Sequence, residues 1–233
     1  MESRFSRSCA LIGKENTDIL KNSAVAVFGI GGVGSYAALS LARSGIGTVY
    51  LYDCDSVSES NINRQLIAFD STVGNLKTDV AKQMMLDINP DIKVFCDNGF
   101  ISEKSEIPFE KFDFIIDAVD NVTAKLFLIE NAKKKDVPII SIMGTGNKLC
   151  PEKLRIDKIE DTKGCPLSRV MRYELKKRGI KDVMAVWSEE IPVKPDTLPD
   201  TDFGAHKPAS MAFVPGAAGL FAASYVIRKL INF

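Results

Sequence analysis

The stretch 24-AVAVFGIGGVGSYAALSLARSG-45 decides the fold. It opens with a short apolar run suited to a strand buried on both faces, and a helical pattern spans 32–45. Between them stand Gly29, Gly31, Gly32 and Gly34. Missing side chains allow a tight turn and let the backbone approach a phosphate, while a helix start offers unpaired N–H groups and the positive end of a dipole. Strand, glycine turn and helix in this order point to a nucleotide-binding unit. The competing reading gives the glycines to close helix–strand packing alone.

Outward from that stretch, β-rich apolar runs at 24–29, 48–53, 93–97, 113–118 and 137–143 alternate with helical patterns at 32–45, 77–88 and 122–135. Apolar strands between helices are what a parallel sheet covered on both faces requires. The expected class is α/β, a doubly wound, mostly parallel Rossmann-like sheet. After about residue 150 the character changes. A strand is expected in KLRIDKIEDT (153–162), a basic helix in PLSRVMRYELKKRGI (166–180) and another strand in DVMAVWSEE (182–190). A long loop at 191–210 carries four of the ten prolines, Pro192, Pro195, Pro199 and Pro208, and the only histidine, His206. The organisation read from this is a core over 1–150 and a smaller C-terminal region over 151–233 of the same domain.

A chain of 233 residues, 45% of them hydrophobic, can bury a substantial core. Lys plus Arg equals Asp plus Glu at 30 each, so an anion site must be local rather than a property of the whole surface. Cys9, Cys54, Cys96, Cys150 and Cys165 are odd in number and hold no C-x-x-C pair, which fits a reducing, cytoplasmic location and argues against a disulfide framework or a four-cysteine zinc site. The N-terminus has no apolar core of signal-peptide length, so export is not indicated. The apolar run 211–227 contains Pro215 and two glycines and reads as a buried C-terminal helix rather than a membrane span.

Three further segments carry chemistry. Asp53 ends the second predicted strand, close to where an acidic residue meets a ribose hydroxyl in dinucleotide folds. Alone it suggests NAD and a nicotinamide-dependent oxidoreductase. The following 60-SNINRQL-66 instead sets Arg64 among amides, a rigid cationic fork suited to phosphate oxygens, and favours a nucleoside triphosphate. Lys77 stands at a helix start, where a cation opposes the dipole unless an anion is near; the bland alternative is a solvated surface lysine. Lastly, 113-DFIIDAVDNVTAK-125 ends a strand with Asp117, Asp120 and Asn121. Ligands bind outside the carboxyl ends of such strands, and an exposed Asp120 facing a triphosphate is a natural Mg²⁺ ligand. Asp120 capping the next helix is the alternative.

With these pieces in order, 4-RFSR-7, 29-GIGGVG-34, 52-YDCDSVSESNINRQ-65, 73-VGNLK-77 and 117-DAVDN-121, the chain resembles the ubiquitin-activating-enzyme-like adenylyltransferases that include ThiF, MoeB and HesA. The resemblance implies ATP as cofactor with Mg²⁺ on Asp120, Asp53 on the ribose, and Asn61, Arg64 and Lys77 on the phosphates. It implies that Gly29, Gly31, Gly32, Gly34, Asn63 and Asn121 line the same site. It also implies a homodimer in which Arg7 reaches the neighbouring subunit's phosphates, so that Arg64, Lys77 and Arg7 form the catalytic set. Residues 1–150 then become the adenylation core and 151–233 the substrate-binding and dimer or crossover region.

A narrower resemblance runs nearly the whole chain, through 165-CPLSRVMRYELKKRGI-180, 186-VWSEEIPV-193 and 214-VPGAAGLFAASYVIRKLI-231, to the tRNA threonylcarbamoyladenosine dehydratase branch of that family. It implies ATP-dependent activation of the threonine carboxylate of a modified adenosine in tRNA, closed by that modification's own carbamoyl nitrogen. Independently, 169-RVMRYELKKRGIK-181 offers Arg169, Arg172, Lys176, Lys177 and Arg178 as candidate tRNA contacts; a solvated helix face is the alternative. No DNA partner is expected. The competing function is an adenylyltransferase for a ubiquitin-like sulfur carrier, with a sulfur-transfer protein as partner. Ring closure inside one substrate demands no enzyme nucleophile, so Cys165 reads as a small semi-buried residue rather than a reactive thiol.

Overall fold

The computed structural model describes residues 4–195 and 208–233; Pro199 and His206 lie outside the described residues. Seven strands form one sheet: β1 Ala24–Phe28, β2 Thr48–Tyr52, β3 Lys93–Asp97, β4 Phe114–Asp117, β5 Ile139–Ile142, β6 Leu154–Lys158 and β7 Met184–Ser188. Their spatial order is β3-β2-β1-β4-β5-β7-β6, with every pairing parallel except β6 on β7. The expected α/β class is what forms, and both strands expected after residue 150 join this sheet.

Alternation along β1 shows why both faces are covered. Val25 and Val27 point into one core with α2 Gly34–Arg43, α3 Lys77–Ile88 and α6 Phe213–Leu230, whereas Ala26 and Phe28 point into a second core with α4 Val122–Lys134 and α5 Pro166–Lys177. All four are fully buried, so the near-continuous apolar run is the pattern of a two-sided interior. α6 is the expected buried C-terminal helix. Gly219 lets it pass against α2, since a Cβ there would lie 2.3 Å from the Val33 carbonyl oxygen. Among the described residues no helix is long and apolar enough to cross a membrane.

One element was not anticipated. α1, Ser6–Asn22, is a helix kinked at Gly13 (φ 82°), and Leu20 is its only buried residue. The kink at Gly13 divides the helix into two short pieces, which makes the segment harder to read as one element.

The consequence for function lies in the strand order. β1 leads outward to β2 on one side and β4 on the other, so the order reverses between β1 and β4, and a crevice opens at their carboxyl ends.

Candidate functional site: a nucleotide cradle and a basic helix

Gly29 turns the chain out of β1 at φ 85°, its N–H donating to the Tyr52 carbonyl at 2.7 Å, and a Cβ there would sit 2.8 Å from the Ala118 carbonyl oxygen. Gly34 is stricter, because its Cβ would lie 1.7 Å from the Gly29 oxygen. These two glycines make the turn. Gly31 and Gly32 instead face side chains of the SNINRQL segment, at 3.8 Å from Gln65 Nε2 and 3.4 Å from Arg64 Cγ. α2 starts directly behind them with no side-chain cap and no acidic residue in its first turn. Its end is therefore open to an anion.

Asp53 follows β2 and ties this turn down. Its Oδ2 accepts the Ile30 N–H at 2.5 Å and its Oδ1 accepts the Asp55 N–H at 2.9 Å. A carboxylate has lone-pair sites to spare, so the same group can still accept a ribose hydroxyl. Lys77, the first residue of α3, is 5% exposed, and its Nζ lies 2.6 Å from Asp55 Oδ2 and 3.7 Å from Asp53 Oδ1. The solvated surface lysine is thus corrected: two carboxylates hold this cation in the crevice.

Arg64 differs. It is half-buried, burial lowers its pKa, and among the described residues it has no carboxylate partner; its Nη1 donates to Ser60 O at 2.7 Å and to Asn63 Oδ1 at 3.0 Å. Asn61 is buried and its Oδ1 accepts the Ser58 N–H, while Asn63 Nδ2 donates to the Ser210 carbonyl. Gln65, quoted in the motif but not singled out for the site, is 6% exposed and its Oε1 has no partner among the described residues. A buried acceptor without a donor is costly. Its position beside the glycine turn could have been inferred from its place next to Arg64.

At the end of β4 the candidate carboxylates separate. Asp117 is fully buried, bonded to Lys125 and Ser141. Asn121 caps α4, accepting the Ala124 N–H at 3.0 Å, so the capping alternative for Asp120 is corrected. Asp120 is exposed. Among the described residues no group of three or more His, Cys, Asp or Glu gathers to hold a metal alone; a lone carboxylate suits Mg²⁺ when phosphates supply further oxygens. Arg7 lies exposed on α1.

Cys165 is buried at 2% exposure, deeper than the semi-buried expectation, and is the N-cap residue of α5. Burial works to raise its thiol pKa, but hydrogen bonding with Ser168 and the charge of Lys148 outweigh this and leave it below its ordinary value. On α5 itself the five candidate cations divide. Arg172 Nη1 donates to Thr162, and Arg178 pairs with Glu130 at 2.6 Å and with Glu174. These two have partners within the chain, whereas the other three do not among the described residues. Arg169, Lys176 and Lys177 are exposed, and none is in an ion pair among the described residues.

A glycine turn at the switch point, backed by an uncapped helix start and flanked by Arg64, which has no carboxylate partner among the described residues, is the arrangement of a nucleotide-binding α/β protein. The chain belongs to the ThiF family, whose sequence model matches residues 5–233. It is 41% identical to the tRNA threonylcarbamoyladenosine dehydratase of Bacillus subtilis (strain 168), over 98% of this chain and 95% of that protein. Its fold matches the crystal structure of E. coli tRNA N6-threonylcarbamoyladenosine dehydratase, TcdA, in complex with ATP, with a TM-score of 0.89 and 28% identity over 98% of this chain and 94% of that one. The likeness to the adenylyltransferase and sulfurtransferase MOCS3 of Culex quinquefasciatus is more distant, 33% over 59% of this chain and 32% of that protein.

Proposed function

We propose that this chain is an ATP-dependent tRNA threonylcarbamoyladenosine dehydratase. The observation that carries the reading is Arg64, half-buried, without a carboxylate partner among the described residues, its side chain placed against the glycine turn at an uncapped helix start. Burying an unpaired cation is unfavourable, and a phosphate chain supplies the missing charge. Full-length likeness to dehydratases supports the choice of substrate.

The chemistry is adenylation followed by ring closure. The threonine carboxylate attacks the α-phosphate of ATP and pyrophosphate leaves. The carbamoyl nitrogen then attacks the activated carbonyl: a C–N bond forms, the C–O bond to AMP breaks, and the nitrogen's proton passes to water. A carboxylate is already ionised at neutral pH, so the first step needs no general base, and the second has its two reactants in one molecule. What the protein supplies is fixed positive charge where negative charge develops. In this reading Arg64 and Lys77 hold the phosphates, Asp53 takes the ribose, and the Gly31–Gly32 backbone lets the phosphates approach α2. Asp120 holds Mg²⁺, Asn63 and Asn121 position the loops that carry Arg64 and Asp120, and Gln65 Oε1 accepts a donor from the nucleotide. The enzyme acts as a cytoplasmic homodimer, with Arg7 completing the partner's phosphate site.

The test is mass spectrometry of nucleosides from threonylcarbamoyl-modified tRNA incubated with the protein, ATP and Mg²⁺, digested under mild conditions that preserve the ring. ATP-dependent loss of one water from the modified adenosine is expected. An unchanged nucleoside with a protein that binds ATP would overturn the reading and move the search to a small carrier protein ending in Gly-Gly.

A further inference from the structure

α5 carries an aromatic residue where its charge pattern alone would not require one. Ser168, Met171 and Leu175 are its buried residues. Seen down the axis at about 100° per residue, Tyr173 stands at the centre of the opposite face. Arg169 lies four residues before it and Lys177 four after, neighbours on the helix surface, with Lys176 beside them. Tyr173 is 66% exposed and no side-chain hydrogen bond engages it among the described residues. The cations that leave this face, Arg172 and Arg178, are the two tied down by Thr162, Glu130 and Glu174. What remains is a ring framed by three unpaired cations spread over about 12 Å of axis.

The course of the helix points the same way. A Cβ on Gly144, two residues past β5, would lie 3.3 Å from Cys165 Sγ. α5 therefore begins at the carboxyl edge of the sheet, where the nucleotide crevice opens, and runs away from it. A polynucleotide whose modified base sits in that crevice has this face along its path.

We propose that Tyr173 is a base-stacking platform for tRNA, with Arg169, Lys176 and Lys177 on the flanking phosphates. The proposal rests on the dehydratase reading and adds a second kind of contact to it. Phosphate contacts follow the backbone whatever the base, whereas an aromatic side chain takes an unstacked base of a single-stranded loop. The two contributions separate by salt, since phosphate contacts release counterions and stacking does not.

The experiment is a titration of the full chain with threonylcarbamoyl-modified tRNA at two salt concentrations. Tyr173→Ala should bind about tenfold more weakly, the scale of one lost base stack, with the salt slope of the parent. Tyr173→Phe should bind like the parent, and Lys177→Gln should lower the salt slope by about one. Tyr173→Trp adds a direct signal, emission quenched at saturating tRNA. Parent affinity in Tyr173→Ala, or an unquenched Tyr173→Trp, overturns the proposal. Equal weakening of binding to polyglutamate assigns the face to an acidic protein and also overturns it. Unchanged ATP affinity and thermal midpoint in Tyr173→Ala show that the fold is intact. If the parent converts the tRNA while Tyr173→Ala binds normally, only the platform fails; if the parent converts nothing, the dehydratase reading fails.

Discussion

Lys125 and Asp117 form an ion pair with no exposure to solvent, Nζ lying 3.0 Å from Oδ2 with both side chains fully buried. Ser141 on β5 donates to the same carboxylate oxygen at 2.5 Å, and Lys125 Nζ lies 3.2 Å from the Ser141 hydroxyl. Asp117 Oδ1 accepts the Val119 N–H. One lysine thus joins α4 to β4 and β5 and fixes the start of the turn that presents Asp120. That turn has a firm base, as a side chain presented at the crevice requires to hold its position.

Removing one partner leaves an uncompensated buried charge, so Lys125→Met should lose about 3–5 kcal/mol of stability in urea unfolding. Adding Asp117→Asn removes the stranded charge, and the double variant should be more stable than Lys125→Met alone. Additive losses in this cycle would show that the pair is not energetically coupled.

Two glycines with different surroundings should respond differently to the same added methyl group. Gly34→Ala places a carbon on the Gly29 oxygen and should abolish ATP binding measured by calorimetry, together with part of the fold's stability. Gly74 has positive φ, at 87°, unlike Gly34, but nothing lies within 4 Å of its Cβ position. Gly74→Ala should therefore lose only about 1–2 kcal/mol from backbone strain and keep ATP affinity. Loss of ATP binding in both would remove the steric argument for Gly34.

The sheet was legible because β1, β2, β4 and β5 are short apolar runs buried on both faces, and the glycine turn between β1 and α2 named the binding edge. α3 ran over 77–88 as read. What the sequence concealed depends on partners brought from elsewhere in the fold. Asp117 and Asp120 stand together at the strand end in the sequence, and neither Lys125 nor Ser141 announces that it will point at Asp117. The split of the basic helix depends on Glu130, which sits on a different helix, and Thr162, which precedes it. α1 is less legible because Gly13, at positive φ, breaks its run into two short helical pieces. Lys77 gave a signal, a cation at a helix start, whose meaning required Asp55 and Asp53 to be placed beside it.

Arg64 and Lys77 should separate when each is replaced by alanine. Arg64 has no carboxylate to strand, so Arg64→Ala should leave thermal stability near that of the parent while lowering tRNA-dependent ATP–pyrophosphate exchange by about 10²–10³-fold, the scale of one lost charge-stabilising donor. Lys77→Ala should lower exchange and also stability, because Asp53 and Asp55 are then left facing each other. Normal exchange in Arg64→Ala would remove that residue from the phosphate site.

Glu190 gives the loop after β5 a dependence on pH. It is 7% exposed, and its two carboxylate oxygens accept the N–H groups of Leu149 and Cys150, each at 2.9 Å. Burial works to raise its pKa, but these donors, with Cys150's side chain and the charge of Lys153, outweigh burial and hold it below its ordinary 4.5. A carboxyl group depressed on folding stabilises the native state above its unfolded pKa, and that contribution is lost as pH falls through the folded value. Glu190→Gln should therefore lower the thermal midpoint relative to the parent at neutral pH, with a gap that holds above its ordinary 4.5 and closes as pH falls below it through the depressed folded value. The functional readout follows from the same loop, where Asn147 donates its N–H to the Ala209 carbonyl and accepts that of Val193, each at 2.7 Å. Loosening that junction in Glu190→Gln should make peptide bonds between Val193 and Ala209 more susceptible to limited proteolysis at neutral pH. A stability gap that widens in acid would refute the assignment of Glu190 as the charged clamp.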